Sequence, residues 1–176
     1  MAASQSYPLF GGAISVNLPA GLLDASDIRQ VPDTEEVLLA KDSDISYIFE
    51  ILQRVEPDEL EKAAEFHFDA LAHDNSANST RIHRISAPAP PYPASPPAQP
   101  IPTILYGEQM VSKFNRTELD RVQIMLALFR VNEKGTDIVF SINSPVKQDG
   151  EDTIVLQKVF EDAVQSFRIL DFGLFA

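Results

Sequence analysis

Residues 9–39 read LFGGAISVNLPAGLLDASDIRQVPDTEEVLL, and this stretch sets the direction of the chain. Gly11 and Gly12 allow a backbone reversal that other residues resist. Ile14, Val16 and Leu18 then alternate with smaller or polar residues, the period of a strand. Pro19 and Gly21 stop it. The polar run that follows holds Asp24, Ser26, Asp27, Arg29, Pro32, Asp33, Glu35 and Glu36. It predicts a loop crowded with charge, and loops on a rigid scaffold are where binding groups sit. Pro32 stiffens this loop, and Arg29 is placed to hold a carboxylate and fix its shape.

Outward from this stretch, Val37–Ala40 and Ile45–Val55 flank the turn-like Lys41–Asp44 and predict a hairpin. Pro57–His73 predicts a helix, with Pro57 at its first position and Asp58, Glu59 and Glu61 at the positive end of the dipole. Leu60, Ala64, His67 and Leu71 share one face, with Ala63 and Ala70 beside it. His67 on that face reads as a hydrogen-bonded core histidine. Arg81–Ser86 and Ile104–Phe114 are strand candidates. Arg121–Val131 is apolar on both faces, as a central strand covered from both sides must be. Asn132–Gly135 turns the chain, and Asp137–Asn143 returns as a strand. Thr153–Phe167 is an amphipathic helix with Leu156, Val159, Phe160, Ala163 and Phe167 on one face and Asp152 or Thr153 as its cap. The tail to Ala176 is apolar enough to pack down. This order is not βαβαβ. It predicts one α+β domain over residues 1–176, a mostly antiparallel central sheet covered by helices on both faces.

Residues 87–102, APAPPYPASPPAQPIP, hold eight of the chain's thirteen prolines. Proline lacks the amide donor, so neither a helix nor an inner strand forms there. An exposed, polyproline-like loop is expected. Pro93–Pro96 and Pro97–Pro100 have the spacing of an SH3-type ligand. No arginine flanks them closely, and the alternative is a plain spacer between two strands.

The formal charge of −12 argues against nucleic acid and against an anionic membrane; a basic protein partner is its electrostatic complement, while charge alone favours the plainer reading that acidity keeps the chain soluble. With no cysteine, the chain has no disulfide, thiolate metal site or cysteine nucleophile. The first ten residues lack the basic group and apolar run of a signal peptide, and no stretch approaches the length of a membrane span. No phosphate-loop, dinucleotide or nucleophile-elbow pattern occurs. His67 and His73 are six apart, not the three or four of a shared metal. Carboxylates are plentiful, which makes any imagined catalytic pair uninformative without geometry. Read from the residues alone, Glu50 is an outward-facing strand glutamate.

Leu9–Ala13, Asp24–Ser26, Arg29–Val37, Glu65–Asp69, Gly107–Asn115 and Asp171–Ala176 recur in one order. Together they resemble the Ran guanine-nucleotide release factors, the Mog-type Ran-binding proteins of nuclear import. The resemblance implies a Mog/PsbP-like α/β/α sandwich, the fold shared with photosystem extrinsic proteins. It implies a non-enzymatic, monomeric regulator of the GTPase Ran, without a cofactor, acting in the nucleus and the cytoplasm. Glu50 matches an acidic position that contributes to Ran binding in the family. A second such position is Gln53 here, which keeps a hydrogen-bonding amide and loses the charge. The expected contact surface is Asp24, Arg29, Pro32, Asp33, Glu36, Glu50 and Gln53. The proline-rich segment 87–102 reads as an insertion into that domain. Two other classes stay open. A carboxylate-based hydrolase would need a concave site with perturbed carboxylates. An extrinsic scaffold of a membrane complex would need a transit sequence.

Overall fold

The strand begun at Ile14 lies in a small sheet that closes over a much larger one. The computed structural model describes residues 3–92, 96–112, 117–146 and 151–176, and the side chains of all of these except 151 and 152. Among them, β1 (Ser4–Leu9), β2 (Ile14–Pro19) and β10 (Arg168–Ile169) form a three-stranded sheet in the order β1-β2-β10. The larger sheet comprises β3 (Leu23–Asp24), β4 (Glu35–Leu39), β5 (Ser46–Gln53), β6 (Ala77–Ser86), β7 (Thr103–Ser112), β8 (Leu119–Val131) and β9 (Thr136–Pro145). Its order is β3-β4-β5-β9-β8-β7-β6, and every pairing is antiparallel. Helix α1 (Leu60–Asp74) covers one face and α2 (Glu151–Ser166) lies on the other. This is the predicted architecture, with the central position of β8 as its doubly apolar pattern requires.

Two cores follow from the alternation of β5, β8 and β9. Phe49, Met125, Phe129, Phe140 and Ile142 point to the side of β2 and α2, where Phe160 and Phe167 meet them. Phe49 and Phe140 stack with ring centroids 4.4 Å apart, as do Phe129 and Phe167 at 4.0 Å. Leu105, Ile124, Leu126, Leu128 and Val139 point the other way, against Ala63, Ala64 and Phe68 of α1. Helix α1 comes this close because β7 has a glycine at the contact. A Cβ on Gly107 would lie 2.8 Å from the Arg81 carbonyl oxygen and 2.9 Å from the Phe68 ring.

Several local expectations are corrected. Helix α1 starts at Leu60 with Glu59 as its N-cap residue, so Pro57 stands outside it. Its buried face is Ala63, Ala64, His67, Phe68 and Ala72, while Ala70 is exposed. Helix α2 is already formed at Glu151, ahead of the proposed cap residues Asp152 and Thr153. Strand β6 begins at Ala77, four residues before the predicted start. Strand β1 has no apolar alternation, and its register with β2 supplies its order instead.

The proline-rich segment packs on the domain at one defined point. The Gln99 side-chain amide donates to the Ile169 carbonyl at 2.9 Å and accepts from the Ile169 amide at 2.7 Å. Pro100 and Ala98 are half-buried and line a cavity of about 360 Å³ beside Arg130 and Asn132. In the Pro97–Pro100 spacing Pro97 is exposed and Pro100 is half-buried, whereas residues 93–95 of the other SH3-type spacing lie outside the described residues.

Candidate partner-binding surface

Backbone geometry first shapes the acidic segment. Asp24 caps a short 3-10 turn over Ala25–Asp27, its Oδ1 accepting from the Ser26 amide at 2.9 Å. Glu35 and Glu36 belong to β4 and not to the loop. Glu36 Oε1 accepts the Phe10 amide at 2.8 Å, and Phe10 sits at φ 51, beside Gly11 at φ 68. A positive φ is costly for a residue with a side chain, so Glu36 holds that reversal in place. Arg29 makes no ion pair among the described residues. Its backbone amide bonds to the Ala25 carbonyl at 2.9 Å, so backbone hydrogen bonds and the Asp24 cap set the shape of the loop.

A cavity of about 350 Å³ opens between this segment and the C-terminal turn, walled by Phe10, Asp24, Pro32, Asp33, Glu35, Glu36 and Leu174. It gathers four of the expected contact residues: Asp24, Pro32, Asp33 and Glu36. Arg29 is exposed near by in the chain and does not line it. Glu50 and Gln53 lie elsewhere. Glu50 pairs with Glu35, whose register places both side chains on the α1 face of the sheet, while Glu36 pairs with Phe49 on the other face. Gln53, three residues along β5, alternates to the face opposite Glu50 and is exposed.

Glu50 is half-buried, not the outward-facing glutamate that its sequence context suggests. Burial pushes its carboxyl up, and the charges of Glu35 and Asp74 push it further, against a smaller opposing effect of His67. Asp74, at the end of α1, is a group that sequence reading missed, because nothing local ties it to β5. In the sequence Glu35 reads as part of the loop and not as a contact residue; only the start of β4 at Glu35 sends it to the face opposite Glu36.

Behind Glu50 lies a buried ionic network. Arg130 Nε and Nη2 donate to the two Asp137 carboxylate oxygens at 2.8 and 2.9 Å. His67 Nε2 lies 2.8 Å from Asp137 Oδ2, and the Val55 amide donates to the same oxygen at 3.2 Å. Arg130 Nη1 also donates to the Pro57 carbonyl at 2.7 Å. Burial alone would raise the Asp137 carboxyl, but the bonds from Arg130, His67 and Val55 outweigh it and hold it down at about 2. The network joins β8, β9, α1 and the β5–α1 connection.

An antiparallel sheet between helices, with carboxylates gathered at one end, defines a class: an α/β/α sandwich with an acidic cavity at one end of its sheet. The chain belongs to the family described as Ran-interacting Mog1 protein, whose model matches residues 7–145. A Ran guanine nucleotide release factor of Danio rerio is 33% identical over 97% of this chain and 100% of its own length. The protein of the same name in Homo sapiens is 31% identical over 82% and 78%. The nuclear import protein mog1 of Schizosaccharomyces pombe is 32% identical over 78% and 75%. The crystal structure of the Saccharomyces cerevisiae Ran-binding protein Mog1p superposes over the whole of both chains with a TM-score of 0.79 at 23% identity, which shows a shared fold.

Proposed function

We propose that this protein binds the small GTPase Ran and promotes release of its guanine nucleotide, in support of nuclear protein import. The observation that carries the reading is family membership over most of the chain. The carboxylate-lined end of the sheet supplies the physics. A preformed acidic surface on a chain of charge −12 attracts basic groups on a partner. If it prefers the nucleotide-free conformation of the GTPase, linkage requires that it weaken nucleotide affinity by the same factor. On this reading the protein is a monomeric regulator in the nucleus and cytoplasm, with no cofactor and no covalent step. It makes no direct contact with nucleic acid or membrane.

Asp24, Pro32, Asp33 and Glu36 form one part of the proposed contact surface, and Glu50 with its neighbour Glu35 forms the other. Arg29 and Gln53 lie at its margins. The hydrolase reading is disfavoured by one detail: Glu50, the carboxylate that burial perturbs, is outside the walls of the acidic cavity. The test is release of a fluorescent GDP analogue from purified Ran. The protein should accelerate it, less so at higher salt as exposed charge pairs are screened. Asp33→Lys and Glu50→Lys should each weaken Ran binding by about tenfold or more, through like-charge repulsion. A parent protein that binds no nucleotide state of Ran would sink the proposal.

A further inference from the structure

Away from the acidic cavity, β2, the β4–β5 turn and the first turns of α2 enclose an open groove of about 640 Å³. Leu18, Ile45, Leu156 and Val159 make it apolar. Ile154 and Val155 continue that surface outward and are 77% and 56% exposed. Single exposed aliphatic residues are ordinary, but two adjoining ones that extend an apolar trough mark a contact site.

Tyr47 gives an independent sign. It is only 3% exposed and lines the groove. Its hydroxyl has no hydrogen-bond partner among the described residues. The nearby Tyr7 hydroxyl, by contrast, donates to the Pro19 carbonyl at 2.8 Å and accepts from the Leu22 amide at 3.2 Å. Burial, and then the proximity of Tyr7, push the Tyr47 phenol up to about 12, so it stays a donor at neutral pH. Tyr47 thus brings an uncommitted donor to the wall of the groove, where a bound acceptor can reach it. The rim is acidic: Asp162 is engaged by Lys158 at 2.6 Å, and Asp42 has no ion pair among the described residues.

We propose that this groove docks a segment of a partner protein that inserts aliphatic side chains, sets an acceptor against the Tyr47 hydroxyl and brings a basic residue to Asp42. A trough with a charged rim and an apolar wall that runs beyond it suits a peptide better than an enclosed small molecule. The groove lies at the turn end of the β4–β5 hairpin, whereas Glu35 and Glu50 pair at the other end. Its occupancy is therefore separable from the GTPase reading above.

The test is an amide NMR titration of the full chain with an acetylated heptapeptide bearing leucine at its second, fifth and sixth positions and lysine at both ends. The control peptide carries glutamate at both ends. Saturable shifts are expected at Ile45, Tyr47, Ile154 and Val155, with the glutamate peptide bound more weakly. Tyr47→Phe should weaken the lysine peptide about fivefold with little change in melting temperature, because the hydroxyl bonds no other described residue. Ile154→Glu should abolish the shifts without unfolding the protein, and Glu50→Lys should leave them intact. The inference is overturned if no saturable shifts appear, if they map to the acidic cavity, if Tyr47→Phe binds like the parent, or if both peptides bind equally.

Discussion

Glu35 and Glu50 stand directly opposite one another across the β4–β5 ladder, two carboxylates on one cross-strand pair. Like charges placed so are destabilising, and Glu50 is half-buried as well. An acid whose folded pKa is raised binds its proton more tightly when folded. Its penalty is complete above the folded pKa and is relieved as pH falls towards the unfolded value. Glu50→Gln should therefore raise stability at pH 7 by about 0.5–1 kcal/mol. The gain should shrink as pH falls to 4, by urea titration at both pH values. An unchanged or lower midpoint at pH 7 would show that the pair is not strained.

Asp137 works in the opposite direction. Its folded pKa of about 2 lies below the ordinary 3.8. The stability it contributes, about 2 kcal/mol, is present above the unfolded value and is lost as pH falls through the folded one. Thermal melts between pH 5 and pH 2 should show that loss in the parent and not in Asp137→Asn. The substitution itself should cost about 3–5 kcal/mol at pH 7, because it leaves the buried Arg130 charge uncompensated.

His67→Ala should lower stability by about 1–3 kcal/mol, removing a packed ring and one partner of Asp137. The folded fraction should still bind Ran. A fully stable variant that fails to bind would instead place His67 in the contact surface.

Gly107→Ala should be destabilising by about 1–3 kcal/mol through overpacking against the Arg81 carbonyl and the Phe68 ring. Combining it with Phe68→Leu should recover part of the loss, since the two sites share one contact. Strict additivity in a denaturant double-mutant cycle would contradict this.

Replacing residues 88–100 with a short Gly-Ser linker should cost about 1–3 kcal/mol, the worth of the two Gln99–Ile169 bonds. Loop length itself contributes little. Gln99→Ala should reproduce most of that loss in a denaturant titration. If Gln99→Ala is neutral while the linker variant is destabilised, the prolines and not the glutamine anchor the segment.

Periodicity revealed β2, the β4–β5 hairpin, both helices and the centrality of β8, because in each the apolar spacing and the solvent boundary coincide. Strand β1 was illegible, since SQSYPL shows no alternation and draws its order from pairing with β2. The Arg130–Asp137 pair was hidden for a similar reason. Seven residues apart in sequence, the two meet only because β8 and β9 form a hairpin in a register that sets them opposite. At the contact surface, the carboxylates of residues 24–36 could be read as a group. The approach of Asp74 to Glu50, and the split of Glu35 from Glu36 across the sheet, depend on packing of α1 and on register. Neither is encoded within a window of neighbouring residues.

The Gln99 amide meets Ile169 with one donor and one acceptor, as a peptide unit of a neighbouring strand would. It acts as a one-residue strand on the open side of β10. The vacant margin of the small sheet is thereby occupied from within the same molecule. A strand from another copy finds no free amide or carbonyl at Ile169 to propagate from, and the proline-rich neighbours of Gln99 cannot extend the ladder either. What reads in the sequence as a plain spacer thus closes the β10 margin of the small sheet.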